Sequence, residues 1–334
     1  MTCAVNAGVS DYKGSGYLDP DDMPIKMATV PVGALPELNE SLDLYGQYDL
    51  WAQQLLALSH AAMGEALGGY QETTPLPLIL SLPEFYPQYP HTLPSNFLHC
   101  LTQQTGLQFD LEMSRLLHTG RAGGIEAFQL AAQLLNETEL THVLVGGVDS
   151  YQRPALLKGL FNERRITSLL NGDGFVPGEG ASFILLSTAP DAALGSDELY
   201  PVLGEVGLAE EPGHLYSEHP YRGEGLDRAV KQATSGYSQP KISNIYAGVN
   251  GENFWAKELS ISINRNRQHI ADKYTIHHPA EYYGDLGSAS APTMVGVAVR
   301  NMLQQPHPRS TLVLCSSDYA PRGALTLHTE KISE

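Results

Sequence analysis

The sequence predicts an α/β fold made of two related halves around one core. Three observations support this. A turn of small residues, an apolar helix and an apolar strand follow one another near Arg121, the same succession recurs near Asp285, and the strands are rich in β-branched residues. Such a succession after a strand is typical of a βαβ unit. We expect the halves to span residues 1–195 and 196–334, with their junction between Pro190 and Pro201.

The elements before the first of these turns follow from apolar runs and turn residues. Glycine and proline interrupt residues 1–40, which therefore predict one short strand followed by a loop. The elements expected next are a helix over 44–67 closed by Gly68-Gly69, a doubly covered strand over 76–82, a short helix over 94–105 opened by proline, and a brief strand at 116–117.

The first small-residue turn covers residues 120–124, and the helix after it places apolar residues such as Ile125 and Phe128 on one face. A strand from His142 to Val145 is expected to end at Gly146-Gly147. The remaining elements, in chain order, are strands over 181–186 and 241–249, a helix over 253–270, the second turn over 284–290, a helix over 291–302, and a strand over 311–315.

The composition limits the kinds of partner. The chain has 20 Lys and Arg against 37 Asp and Glu, a net charge of -17, and no basic run. Neither nucleic acid nor an anionic membrane surface is therefore an expected partner. Cys3, Cys100 and Cys315 lie far apart without zinc-ligand spacing, which favours buried reduced thiols. The sequence predicts neither a signal peptide nor an apolar run long enough to cross a membrane, so we expect a cytoplasmic protein. We also expect it to hold no metal or cofactor.

Other chemistry has weaker support. The sequence contains neither a G-x-S-x-G motif nor a nucleotide-binding glycine motif. His277-His278 is compatible with a hydrolase triad that includes Asp285 and Ser288, or with a metal site that includes Glu281. An exposed polar loop is the favoured interpretation of this segment.

Two segments resemble a known family. HVLVGGVDS (142–150) and NGDGFVPGEGASFILL (171–186) are similar to the corresponding segments of β-ketoacyl synthases, which are condensing enzymes of the thiolase fold. The resemblance implies two βαβαβ halves in an αβαβα layering. In that family a cysteine at a helix N-terminus takes the acyl group as a thioester, because the helix end lowers its pKa and supplies oxyanion donors.

The resemblance also implies that the catalytic set is replaced. The cysteine position falls on Arg121, the two histidine positions on Asn250 and Asp285, the lysine position on Ala280, and the supporting glutamate position on Ile261. The pocket-lining glycine-rich loop corresponds to SSDYAPRGA (316–324), with most glycines lost. An arginine forms no thioester because it stays protonated. We therefore expect no catalytic residue of this set.

Each replacement has an alternative interpretation. Arg121 is either an ordinary surface arginine or a plug at a helix N-terminus that requires an acidic partner. Asp285, in the equivalent turn of the other half, is the predicted partner in a buried ion pair. Asn250 either replaces a histidine as a hydrogen-bonding group or serves as a turn residue before Gly251, and the turn interpretation is favoured.

The sequence therefore predicts a bacterial, ketosynthase-like pseudoenzyme that acts through protein binding as a subunit, an adaptor or a chaperone. The resemblance implies a homo- or heterodimer through the strand near Leu116, like chain-length factors. It also extends to thiolase-like proteins that accompany bacterial type VI secretion effectors. The alternative is an acyl-thioester enzyme, a 3-oxoacyl synthase-like acyltransferase or a decarboxylase, with altered chemistry in the same cavity. An acidic acyl carrier protein is a less favoured partner, because this chain is acidic as well. A local basic patch at Arg164-Arg165, or at Arg265 and Arg267, is the alternative that would allow it to dock.

Overall fold

The computed structural model describes residues 2–40, 42, 48–68, 70, 74–190, 195, 199–237, 240–305, 307 and 309–331. The helices in these residues are α1 (Thr2–Asn6), α2 (Leu50–Ala66), α3 (Phe97–Thr105), α4 (Gly123–Glu137), α5 (Pro154–Asn162), α6 (Glu224–Ala233), α7 (Asn253–Arg265), α8 (Ala280–Tyr283) and α9 (Ser290–Leu303). The strands are β1 (Lys13–Leu18), β2 (Pro24–Met27), β3 (Leu78–Ser81), β4 (Arg115–Leu117), β5 (His142–Ser150), β6 (Glu179–Ser187), β7 (Leu199–Glu210), β8 (Ile242–Ala247), β9 (Ile270–His277), β10 (Ser310–Ser316) and β11 (Pro321–Lys331).

Two sheets repeat one topology. The first has the order β4-β3-β5-β6 and the second has the order β9-β8-β10-β11-β7. In each sheet the first three strands are parallel and the fourth is antiparallel to the third. The predicted repeat is therefore visible in the strand pairing. The predicted junction falls mostly on residues 191–194 and 196–198, which lie outside the described residues.

The central layer consists of α4 and α9, which pack against each other between the two sheets. Ile125 and Phe128 of α4 and Met294 of α9 are buried there. The helices approach closely at Gly124, where a Cβ would lie 2.7 Å from the Cβ of Ala291. The two small-residue turns that precede these helices are thereby brought to the same region of the molecule.

The outer layers complete the architecture. Helices α2 and α3 cover the outer face of the first sheet, and α6 and α7 cover the outer face of the second. Asp49 caps α2, because its carboxylate accepts the amide N–H of Ala52 at 2.8 Å. Gly106, with a φ of +72°, ends α3 in the left-handed conformation. The layers follow the predicted αβαβα order, so the predicted α/β, thiolase-like fold is confirmed.

Several predicted elements were wrong in extent. Residues 1–40 form α1 and the hairpin β1–β2 rather than one strand and a loop. Strand β5 does not end at Gly146-Gly147 but continues through them to Ser150. These glycines are required because Phe183 and the backbone of Ser288 occupy the space that a side chain would need. Part of the helix predicted over 44–67, residues 44–47, lies outside the described residues, as does Gly69.

The second half contains elements that the sequence pattern missed. Helix α7 ends at Arg265, and a 3₁₀ turn over Arg267–His269 leads into β9 instead of continuing the helix to residue 270. Strands β7 and β11 and helix α6 were not predicted. The segment 316–324 is a turn between β10 and β11 rather than a loop throughout. Among the described residues, no helix has the length and apolar character needed to cross a bilayer.

Candidate functional site

The site lies where the two small-residue turns meet. A 3₁₀ turn over Gly120–Ala122 leads into α4, and a second one over Gly287–Ala289 leads into α9. Gly120 has a φ of +67°, and a Cβ there would lie 2.5 Å from Oε2 of Glu84. Only glycine fits at that position. Arg121, the next residue, is thereby directed into the interior.

Arg121 is buried and forms an ion pair through both terminal nitrogens. Its Nη1 lies 2.6 Å from Oδ2 of Asp285, and its Nη2 contacts Oδ1 of Asp318. Its Nε donates to the carbonyl oxygen of Ser316 at 2.9 Å. Arg121 is only 3% exposed and Asp285 only 2%. The predicted Arg121–Asp285 ion pair is present, and the surface interpretation of Arg121 was wrong.

A second guanidinium joins the cluster from the segment after α5. Nε and Nη2 of Arg165 donate to the two carboxylate oxygens of Glu252 at 2.8 and 2.9 Å, and Nη1 donates to Asp318. Burial alone would raise the pKa of Asp318, but Arg165 and Arg121 outweigh it and hold that pKa below its usual range. The pKa of Arg121 is raised because the nearby carboxylates outweigh its burial. We refer to Arg121, Arg165, Glu252, Asp285 and Asp318 as the ion-pair cluster.

Asn250 and Trp255 close one side of this cluster. The amide nitrogen of Asn250 donates to Asp285 at 2.8 Å and to Glu252 at 3.1 Å. Nε1 of Trp255 donates to Glu252 at 2.9 Å, and its ring lies 4.9 Å from Cζ of Arg121. Asn250 is thus a hydrogen-bonding member of the site, and the favoured interpretation of it as only a turn residue was wrong.

Behind Trp255 lies a separate buried pair. Nε of Arg322 donates to Oε1 of Glu258 at 2.8 Å, and both side chains are fully buried. Cζ of Arg322 lies 5.5 Å from the centre of the Trp255 ring, so two guanidinium groups lie within cation–π range of the indole. Asp318 comes from the turn between β10 and β11 and Arg322 from the start of β11, although the sequence pattern marked residues 316–324 only as a degenerate glycine loop.

Glu84 anchors the turn that carries Asp318. Its two carboxyl oxygens accept the backbone N–H groups of Asp318 and Tyr319, each at 3.0 Å. Burial, together with the charge of Asp318, raises the pKa of Glu84 to about 8. The carboxyl group of Glu84 is therefore mostly protonated at neutral pH, which limits the negative charge beside the ion-pair cluster.

Asp149, from the GGVDS motif, joins the end of β5 to the turn before α9. Its carboxylate accepts the N–H of Ser288 at 2.9 Å and the N–H of Ser150 at 2.8 Å. Burial raises the pKa of Asp149 to about 7. Gly287, with a φ of +50°, leaves the space that this carboxylate occupies. The motif therefore holds the second turn in place.

None of the three cysteines, all of which lie in described residues, is in the two small-residue turns. Cys315 is buried in β10, and burial raises its pKa to about 12, so the thiol is neutral at physiological pH. Cys100 is also buried, whereas Cys3 is exposed in α1. The expectation of three buried thiols was therefore wrong for Cys3.

Little free space remains beside Arg121. The cavity bordered by Glu84, Tyr86, Arg121, Asp149 and Arg153 has about 10 Å³ for water-sized spheres. That is about the space of one water molecule. The N–H of Ala122, at the start of the helix, donates to Oγ of Ser317 at 2.9 Å and is not free to bind an oxyanion. The cavity beside Arg121 is therefore smaller than an acyl group.

The structure brings together three of the five positions named from the resemblance, namely Arg121, Asn250 and Asp285. Ile261 packs on α7 against Gly223, and Ala280 begins α8. Their side chains carry no polar atoms, so neither joins the ion-pair cluster. That these five positions are the replaced catalytic set stays a prediction.

Several members of the cluster were not identified from the sequence. The sequence left a basic patch at Arg164-Arg165 open, but Arg165 is buried and only Arg164 is exposed. Asp318, Glu252 and Glu84 had no motif that marks them. No local pattern distinguishes the buried Arg165 from its exposed neighbour Arg164, because charged residues are usually exposed.

The alternative centred on His277 has no assembled geometry. The His277 ring stacks on Tyr246 with centroids 4.3 Å apart, and the hydroxyl of Ser288 donates to the carbonyl oxygen of Leu82. Asp285 is held by Arg121 and Asn250. In the described part of the chain, no group of three or more potential ligands is placed to hold a metal ion.

Comparison with known proteins gives the same fold. Residues 112–192 match the sequence model of the N-terminal domain of β-ketoacyl synthase. No curated protein sequence matches the chain. The chain is similar to the ketosynthase from module 6 of the bacillaene synthase from Bacillus subtilis 168, at 15% identity and a TM-score of 0.76, over 98% of this chain and 68% of that one.

Two further solved structures are similar. The ishigamide ketosynthase/chain length factor is 16% identical, with a TM-score of 0.67, over 98% of this chain and 93% of that one. An oxazolomycin ketosynthase domain from Streptomyces albus JA3453 is 14% identical, with a TM-score of 0.70, over 99% and 72% of the two chains. The chain therefore has the fold of these ketosynthases, the thiolase fold.

Proposed function

We propose that this protein is a non-catalytic ketosynthase-like protein that works by binding another protein, as a subunit, an adaptor or a chaperone. The single observation that carries the proposal is the position of Arg121. It lies in the turn at the N-terminus of the central helix α4, paired with two buried carboxylates. A thiolate would have to lie in that turn for thioester chemistry, and a guanidinium cannot replace it.

The groups around Arg121 support the same conclusion. Both arginines of the cluster donate hydrogen bonds to its own carboxylates, and the cavity beside Arg121 holds about one water molecule. Opening the cavity for a substrate would leave charged groups unpaired in a buried site, which is costly. The ion-pair cluster thus favours a closed, structural role over an altered acyl-thioester chemistry.

The edge of the first sheet supports a binding role. Strand β4 pairs with β3 on one side, and among the described residues no strand pairs with its other side. Leu116 and Leu117 are half-buried, and Leu111, just before the strand, is 54% exposed. An open edge with apolar side chains is suited to pairing with a second chain. One of the similar structures is a ketosynthase/chain length factor, and we infer a comparable homo- or heterodimer here.

The chemical part of the proposal is tested with acyl and malonyl thioesters. The protein is incubated with each, followed by intact-mass measurement and detection of CO2, with an active ketosynthase as the positive control. A Cys3→Ser variant removes the exposed thiol, which would otherwise acylate without catalysis. We expect neither an adduct nor CO2 above the buffer blank. An adduct on the Cys3→Ser protein, or catalytic release of CO2, would support the enzyme alternative and overturn the proposal.

The binding part is tested by affinity capture in the native host, followed by reconstitution from purified components. We expect a defined complex by size-exclusion chromatography with light scattering. A charged substitution on the β4 edge, Leu116→Glu, is expected to disrupt that complex, with Leu50→Glu on an 83% exposed leucine as the control. A stable homodimer that captures no other protein would contradict the adaptor role.

A further inference from the structure

The ion-pair cluster extends to the molecular surface through Tyr216. The hydroxyl of Tyr216 accepts from Nη1 of Arg165 at 2.9 Å and donates to Oε2 of Glu163 at 2.8 Å. Glu163 is exposed at the end of α5, and its other oxygen accepts the hydroxyl of Tyr89 at 3.3 Å. The buried arginine therefore helps to position an exposed carboxylate between two phenols.

A third tyrosine comes from the turn that carries Asp318. Asp318 points inward to the arginines, whereas the next residue, Tyr319, is partly exposed. Its ring lies beside that of Tyr216, with centroids 5.2 Å apart, and its hydroxyl donates to Gln88 at 3.1 Å. We call Tyr89, Tyr216, Tyr319 and Glu163 the tyrosine surface.

The tyrosine surface is held rigidly from below. Glu84 binds the backbone N–H of Tyr319, Arg165 binds the Tyr216 hydroxyl, and the buried ring of Tyr86 contacts both exposed rings. Pre-positioned tyrosines supply contact area to a partner at a low cost in conformational entropy. Tyrosine is also among the residues that carry most of the binding energy at protein interfaces.

The chemistry of this surface selects a cation. Cζ of Arg165 already lies 5.8 Å from the centre of the Tyr216 ring, so the partly exposed ring of Tyr319 is the one offered to a guanidinium, which its quadrupole attracts. The carboxylate of Glu163 retains lone pairs beyond the two phenol hydrogen bonds. The net charge of -17 adds a long-range attraction for basic segments. The exposed Arg164 lies next to Glu163, so this part of the surface is not a broad acidic patch. Recognition of a cation therefore depends on the tyrosine rings and on the single carboxylate of Glu163.

We propose that the tyrosine surface docks an arginine-bearing segment of the partner protein. This inference rests on the proposed binding function and names the chemistry of its partner. It also assigns a role to the buried cluster, since Asp318 and Arg165 position Tyr319 and Tyr216 without touching the partner themselves.

The test uses short, fluorescently labelled glycine–serine peptides that carry several arginines or, as the comparison, several glutamates. Fluorescence anisotropy measures their binding at physiological salt. This salt concentration screens non-specific attraction between the arginine peptide and the acidic chain. We expect binding of the arginine peptide only. Tyr319→Ser and Glu163→Gln should each raise its Kd about threefold or more, the range expected for one exposed cation–π or ionic contact. Tyr216 is not substituted because its hydroxyl reaches Arg165.

A matched pair on β9 provides the control. Tyr274→Ser and Asp272→Asn remove the same kinds of group elsewhere, where Arg267 already lies over the Tyr274 ring at 5.1 Å. These variants should leave the Kd unchanged. The inference is overturned if they weaken binding as much as Tyr319→Ser and Glu163→Gln do, or if none of the four variants changes it. The thioester assay is independent, so an acyl adduct would refute the proposed function whatever the peptides show.

Discussion

Replacing Arg121 by methionine tests whether the buried cluster stabilises the fold. The substitution keeps an unbranched side chain but removes the guanidinium, which is 3% exposed and pairs with Asp285 and Asp318. Asp285 would then keep the Asn250 amide and the N–H of Gly287 as donors, and Asp318 would keep Arg165 and Tyr86. Asp285 would lose its ion pair with Arg121, and Asp318 would lose one of its two guanidinium partners.

The expected loss is large because one partner of a buried ion pair is removed. Such a change costs about 3–5 kcal/mol of unfolding free energy, or at least about a hundredfold in the folding equilibrium. The double variant Arg121→Met with Asp285→Asn should recover part of this loss, because one unpaired charge is gone as well. The exposed Arg300 on α9 supplies the control, and Arg300→Met should stay within about 0.5 kcal/mol of the unsubstituted protein.

The assay is urea unfolding followed by circular dichroism, with the slope against urea compared among variants. The pH dependence of the unfolding free energy gives a second test of the ion-pair cluster. The guanidiniums depress the folded-state pKa of Asp318, so its stabilising contribution is present above the unfolded pKa of about 3.9 and is lost as the pH falls. The destabilisation by Arg121→Met should therefore be greatest near neutral pH. A loss below about 1 kcal/mol at pH 7, with no coupling to Asp285, would refute this account of the cluster.

Three further predictions concern other parts of the fold. Because the folded-state pKa of Glu84 is raised to about 8, unfolding free energy should fall as pH rises from about 4.5 toward 8, by at most about 1.4 kcal/mol per pH unit, and Glu84→Gln should flatten that titration. Gly124→Ala should destabilise by about 1–3 kcal/mol because its Cβ meets α9, whereas Gly64→Ala, with open space around it in α2, should stabilise slightly, as thermal melts would show. A thiol reagent should label only Cys3 in the native protein, since Cys315 and the remaining cysteine are buried, and all three in urea.

Each of these three predictions has a result that would contradict it. A pH profile that is the same with and without the Glu84 carboxyl group would assign the titration elsewhere. Equal melting shifts for the two glycine variants would contradict the close helix contact. Native labelling of a second cysteine would mean that a buried thiol is accessible, and the case against a nucleophile would weaken.

Local patterns in the sequence determined the central parts of the fold. The glycine turns, the apolar helices after them and the strands that follow depend on neighbouring residues, so their order was predicted correctly. The Arg121–Asp285 pair was also predictable, because the repeat places the two turns in equivalent positions. Three elements were harder to predict: β7 and α6 are only partly buried, and the buried strand β11 contains polar residues such as Arg322 and Thr326.

Only the tertiary structure decided the composition of the ion-pair cluster. Asp318 lies 197 residues from Arg121 and 153 residues from Arg165, and no local spacing relates them. From the sequence alone, a charged side chain is expected at the surface. Burial of such a side chain requires a partner of opposite charge, and here the packing of two sheets and two helices brings that partner close to it. The sequence alone therefore predicted which two turns meet at Arg121, whereas the fold decided which carboxylates neutralise this arginine.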